Sequence, residues 1–244
     1  TENHPVVGAR IKQAVLKGAR LVVIATGANP TLLLRAGLLL TMALTTLSSA
    51  FLLWCHRVGR HIPGANDNGS GTAVVLALAE RFRKEPLPGI ELRFLFTGAE
   101  ETGTRGMMAF LRRHGQELPR DTVFINLDNV GAGTLHYLTA EGLLWPVRYD
   151  PRLCGLVAAM AQEGRYGEIR PRGNLLLPTD GLIPRLHGFP AITFIAFGPD
   201  GRLPHYHWYS DTLDHVDTAL LSQTVEVVWA LLGRLAAGAR LQHL

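Results

Sequence analysis

From residue 64 onward, short apolar runs with strand patterning alternate with segments whose apolar residues fall at helical spacing. Each such element must bury one side, so the pattern restricts the chain to a sheet covered by helices. Residues 69–84 place Val74, Val75, Leu78, Ala79 and Phe82 on one side of a predicted helix. Residues 90–97 (IELRFLFT) alternate as a strand does. Further strands are predicted at 122–127, 135–139 and 190–197, and helices at 103–114, 151–164, 178–187 and 216–238. The run at 190–197 is mostly apolar, as in a strand buried on both faces. The expected fold is a three-layer α/β/α domain with a mostly parallel central sheet, preceded by a long apolar helix.

The chain before residue 64 reads differently. Residues 36–54 (AGLLLTMALTTLSSAFLLW) carry no charge, with Arg35 before them and Arg57 and Arg60 after. The length approaches the ~20 residues that cross a bilayer. A secretory signal peptide fits badly, since the run begins late and no small-residue cleavage site precedes Cys55. A buried core helix, a single membrane anchor and a helix lying on a membrane are the readings open to it. The last is preferred, because a single crossing would separate a strand at 20–27 from the sheet. Three parts follow: an atypical segment at 1–30, an apolar, membrane-associated helix at 31–61, and the α/β domain at 62–244.

With 47% apolar and 18% charged residues, the chain has the composition of a folded domain. Its net charge of +4 is scattered, with no basic stripe interleaved with aromatics, and this argues against nucleic acid as a partner. The two cysteines, Cys55 and Cys154, form no Cys-x-x-Cys pair, so a metal site would draw on His and carboxylates.

Polar residues gather just after the predicted strands, where ligands bind in open α/β sheets. Gly64–Gly71 (GANDNGSG) precedes a helix and holds Asp67; alone it also reads as an N-cap and turn. Glu100 and Glu101 follow the strand ending at Phe96, bracketed by Gly98 and Gly103. Adjacent carboxylates repel, and a cation relieves them; a solvated acidic loop is the other reading. Asp128 ends the next strand, where a lone Asp usually caps or turns the chain. His205 and His207 stand among aromatics, with Asp211 four residues beyond His207. An ordinary loop reads the same way, yet taken together these groups form a donor set for zinc.

PGANDNGSGTA, FLFTGAEETGTRG, FINLDNVG, GFPAITFIA and HYHWYSDTLDHVD occur in one order, and over residues 62–240 the chain closely resembles the M28 zinc aminopeptidases. The resemblance implies that Asp67 bridges two zinc ions, that Glu101 and His207 complete one zinc site, and that Asp128 belongs to the other. It implies Glu100 as general base, Asp211 as support for the loop, and Asp180 as a pocket or supporting residue near the substrate. The implied activity is metal-assisted hydrolysis of the first bond of a peptide with a free N-terminus.

The resemblance breaks upstream. The family carries a His-x-Asp at a strand end before the segment equivalent to Gly64, and residues 1–66 contain none. Thr26 falls near the expected position, and His61 is the one candidate substitute. Residues 2–24 are instead similar to a stretch of molybdopterin-dependent oxidoreductases, too short to hold that cofactor. Three readings follow. The first is a two-zinc aminopeptidase with a replacement ligand. The second is a one-zinc enzyme similar to glutaminyl cyclases, and the third a relative that binds without catalysis.

Overall fold

The computed structural model describes residues 30–58, 61–142, 145–174 and 178–241. The chain forms two compact units, residues 1–60 and 61–244. The first is described by one helix, α1 (Pro30–Val58), in which Arg35–Trp54 has a mean hydropathy of 1.8. None of that stretch is buried, and Leu39, Leu47 and Leu52 stand about two-thirds exposed at 67%, 67% and 66%. The strand expected at 20–27, with Thr26, and the stretch at 2–24 lie outside the described residues.

The second unit has the elements α2 (Gly71–Lys84), α3 (Arg105–His114), β1 (Phe124–Leu127), β2 (Thr134–Glu141), β3 (Val147–Arg148), α4 (Pro151–Gln162), β4 (Ile169–Asn174), α5 (Leu182–Leu186), β5 (Ala191–Phe197) and α6 (Thr218–Leu241). In the sheet β5 lies between β1 and β2, parallel to the first and antiparallel to the second. β3 continues along the same edge of β2 as an antiparallel partner, and β4 pairs parallel with the other edge. The sheet is therefore mixed.

The predicted apolar run is a wholly buried interior strand. Its residues alternate between two cores, as the strand period of two requires. Ile192, Phe194 and Ala196 join the cluster built with α2, α4 and α6; Ala191, Ile195 and Phe197 join Leu138 and Tyr149 on the opposite side. α3 and α5 contribute Met107, Leu111 and Ile183 to a third cluster with Phe189. Helical layers thus cover both faces. α6 is also long and apolar enough to cross a membrane, but Val227, Val228 and Leu231 are buried in the core.

Three local expectations differ from the structure. Residues 90–97 pair with no described strand, although Leu92 and Phe94 still pack against the main core and Glu91 and Arg93 face outward. The alternation is present and the ladder is not. Residues 178–181 precede the short helix α5 as a loop. β4 was not predicted: IRPRGN holds Pro171 and Gly173, which argue against an interior strand, and it lies at a sheet edge, where Pro is tolerated.

Candidate active site

Asp67 lies in the irregular helical turn Ala65–Ser70 that leads into α2. This turn is tied to the loop after β1. Asn66 Oδ1 accepts from the Gly131 N–H at 2.7 Å, and Ser70 Oγ accepts from the Val130 N–H at 3.0 Å. Asn68 Nδ2 donates to the Leu127 carbonyl at 2.8 Å. A Cβ on Gly71 would stand 2.4 Å from that carbonyl oxygen, so only glycine allows the approach. Asp211 closes the turn from the other side. It is 1% exposed, and its carboxylate accepts from the Asn66 N–H at 2.6 Å and the Asp67 N–H at 3.0 Å.

Glu100 and Glu101 occupy the turn before α3, in which the Glu100 carbonyl accepts from the N–H groups of Gly103 and Thr104. His207 Nε2 lies 2.9 Å from Glu101 Oε1 and 3.3 Å from Asp67 Oδ2. Its ring stacks on Tyr206 with centroids 3.8 Å apart. Ligand atoms of Asp67, Glu101 and His207 all lie within 4.8 Å of one another. Ala99, Asn129, His205 and His207 have left-handed backbone at φ of 56°, 49°, 59° and 53°. Such strain gathers where side chains are held for function.

Asp128 is placed beside this trio and not within it. Asn129 Nδ2 joins the two, donating to Asp67 Oδ1 at 3.1 Å and to Asp128 Oδ1 at 3.0 Å. Burial, reinforced by the Asp67 charge, pushes the Asp128 carboxyl up to about 7. Burial and the charge of Asp128 push Glu100 up to about 8. Asp67 is raised as well, by burial and then by Glu101. Asp180, 5% exposed, accepts from the Thr97 hydroxyl through Oδ2; burial raises its carboxyl, and Oδ1 has no hydrogen-bond partner among the described residues.

This concentration of carboxyl groups fits a cation. Two carboxylates and an imidazole are the donors zinc takes, and three protein ligands leave a position open. His61 is exposed and is not part of the described ligand group. Asp67, Glu100, Asp128, Asn129, Thr179 and Tyr206 line one cleft. Sequence reasoning did not single out Asn129 or Tyr206. Both lay inside the motif phrases, but their contacts come from separate loops meeting in space.

The sequence profile of peptidase family M28 matches residues 45–232. The chain belongs to peptidase family M28. Among M28-type relatives, it is 30% identical over 180 residues to the aminopeptidase YwaD of Bacillus subtilis (strain 168), covering 69% of this chain and 37% of that protein. It is 28% identical to the crystal structure of BSAP, a zinc aminopeptidase from Bacillus subtilis, with a TM-score of 0.60 over 70% of this chain and 42% of that one. The chain therefore spans less than half the length of these two aminopeptidases. A glutaminyl cyclase from Porphyromonas gingivalis shares the fold at a TM-score of 0.53 and 21% identity, over 72% of this chain and 67% of that one.

Proposed function

We propose that residues 62–244 form a zinc-dependent aminopeptidase domain acting on peptides with a free N-terminus. The convergence of Asp67, Glu101 and His207 with Glu100 alongside carries this reading, and membership of M28 supports it. Zinc, when bound, supplies a Lewis acid that polarises the scissile carbonyl and acidifies water. Asp67, Glu101 and His207 would hold it, and Asp128 would contribute to holding a second ion. Glu100 takes the proton of the attacking water and returns it to the leaving amine. Asp211 keeps the Asp67 turn in place through two backbone N–H groups. The unpartnered oxygen of Asp180 is a buried acceptor suited to the substrate ammonium group.

One observation favours a second reading. The described ligand group has three members, enough for a single zinc, which is the basis of a glutaminyl-cyclase-like acyl transfer. Elemental analysis of the purified chain, paired with assays of an unblocked peptide and of an N-terminal glutamine peptide, separates the two. Release of the N-terminal residue with bound zinc is the expected result, two ions per chain meaning that another group replaces the missing histidine. One ion with cyclisation and no hydrolysis transfers the assignment to the second reading. A chain that binds no zinc and acts on neither peptide is a non-catalytic relative.

We further propose that α1 associates with a membrane, on the strength of its exposed apolar stretch, in which residues 36–54 carry no charge. The full chain is expected to float with phosphatidylcholine vesicles, and Leu44→Arg to reduce that flotation. Failure of the unmodified chain to float removes the proposal.

A further inference from the structure

Apart from the zinc-type donors, buried polar atoms concentrate beneath residues 178–181. Glu141, at the end of β2, is fully buried. Its carboxylate accepts from the Thr179 N–H at 2.6 Å and from the Tyr149 hydroxyl at 2.8 Å, and the Thr179 hydroxyl stands 3.1 and 3.2 Å from its two oxygens. The Tyr149 oxygen lies 2.6 Å from Thr193 Oγ1, and Asn126 Nδ2 donates to Thr179 Oγ1 at 3.1 Å. Three strands therefore contribute: β1 through Asn126, β2 through Glu141 and β5 through Thr193. The loop presses hard on this base. A Cβ on Gly181 would stand 2.1 Å from Thr193 Oγ1 and 2.8 Å from the Tyr149 oxygen.

No cation is among the hydrogen-bond partners of Glu141 among the described residues. A buried carboxylate served only by neutral donors is an expensive way to fill a core, because apolar side chains would fill it with no desolvation penalty. What it secures is the backbone of Thr179. The next residue, Asp180, accepts from the Thr97 hydroxyl, and Thr97 stands three residues before Glu100. The chain of contacts thus leads from the floor of the sheet to the turn that carries the general base.

We propose that Glu141 is a positioning residue: through Thr179, Asp180 and Thr97 it fixes the turn that bears Glu100. The proposal rests on the reading of Glu100 as the base. It places in one device four side chains, Thr97, Glu141, Thr179 and Asp180, that lie on three separate segments of the sequence. Glutamine at 141 keeps an oxygen for the Thr179 N–H, and Tyr149 can rotate its hydroxyl towards Thr193. Alanine leaves the Thr179 N–H without its acceptor and the Tyr149 hydroxyl with Thr193 alone.

The test compares Glu141→Ala, Glu141→Gln and Tyr149→Phe in the full chain. Removal of groups that orient an active site typically lowers activity ~10–100-fold. Glu141→Ala is expected to lower kcat by about that factor with little change in KM or zinc content, and Glu141→Gln to restore most of it. Hydrogen exchange is read in parallel and requires no activity. In Glu141→Ala it is expected to quicken at the Thr179 amide and also at Gly103 and Thr104, whose N–H groups bond the Glu100 carbonyl. Should the alanine variant not fold, Tyr149→Phe is expected to show the same two sites quickening to a smaller degree. Faster exchange at Thr179 alone, or an alanine variant that folds and turns over like the parent, overturns the proposal. A parent chain inactive on both peptides removes the proposed function instead, and the exchange at the two sites still decides whether Glu141 couples them.

Discussion

Glu100→Gln is expected to abolish most turnover, lowering kcat by about 10²–10⁴-fold, the usual contribution of a positioned general base. Zinc content should stay as in the parent, because Glu100 is not among the three ligand-bearing residues. The size of the effect follows from the surroundings of this carboxyl. Burial and four neighbouring carboxylates (Asp128, Glu101, Asp180 and Asp67) lift it to about 8 without a cation. A base with a pKa near the working pH can both accept and return a proton. Gln has the same shape and can do neither. Glu101→Gln is the informative contrast: it removes one of the three proposed ligands, so zinc should be lost together with activity. Activity retained in Glu100→Gln takes the base role away from Glu100.

Removal of metal is expected to abolish activity reversibly and to make the stability of the chain fall as pH rises. The sign follows from the carboxyl groups. Glu100 moves from 4.5 to about 8 on folding, Asp128 from 3.8 to about 7, and Glu141 from 4.5 to about 7. The folded state therefore binds more protons than the unfolded chain between these limits. The stability these three groups contribute is fully present below about 4 and is lost progressively until about 8. His136, held below 6.5 chiefly by burial, works in the opposite direction through a single proton. Thermal melts with chelator should give a higher Tm at pH 5.5 than at pH 8.5. Added zinc should shrink the difference, since the cation offsets the charge on Asp67 and Asp128, and should leave the part that Glu141 contributes. Equal melting temperatures at the two pH values in chelator would show that the acidic cluster does not govern stability.

Much of this arrangement is legible in the sequence. Apolar spacing marked α2, α4 and α6, and the apolar run marked β5, because burial on one or two faces leaves a local periodic signature. The carboxylates of Asp67, Glu100, Glu101 and Asp128 were found through their places beside predicted elements. What escaped notice depends on partners distant in sequence. Asn129 touches Asp67 and Asp128 from a left-handed backbone position, and nothing in its neighbours announces that geometry. Glu141 sits at the end of a strand like many surface acids, and only Thr179 and Tyr149 mark it as buried. Residues 178–187 read as one helix, yet the first four form a loop whose Thr179 N–H is committed to Glu141. Parallel and antiparallel pairing is likewise invisible locally, and the placement of β2 beside β5 made the sheet mixed.

β5 serves two compartments at once, with Ile192, Phe194 and Ala196 on one side and Ala191, Ile195 and Phe197 on the other. Between the latter residues stands Thr193, fully buried, with its hydroxyl against Tyr149. A slip of one residue in its pairing would invert every one of these assignments. The hydroxyl would enter the apolar layer beneath α2, α4 and α6, and a benzyl or sec-butyl group would meet the hydroxyls of Tyr149 and Thr179. Mispaired forms of this domain are thus penalised twice, by the stranded hydroxyl of Thr193 and by the loss of its contact with Tyr149. The polar floor under the cleft therefore acts as a proofreader of strand alignment, and the demands of chemistry and of correct folding fall on the same few atoms.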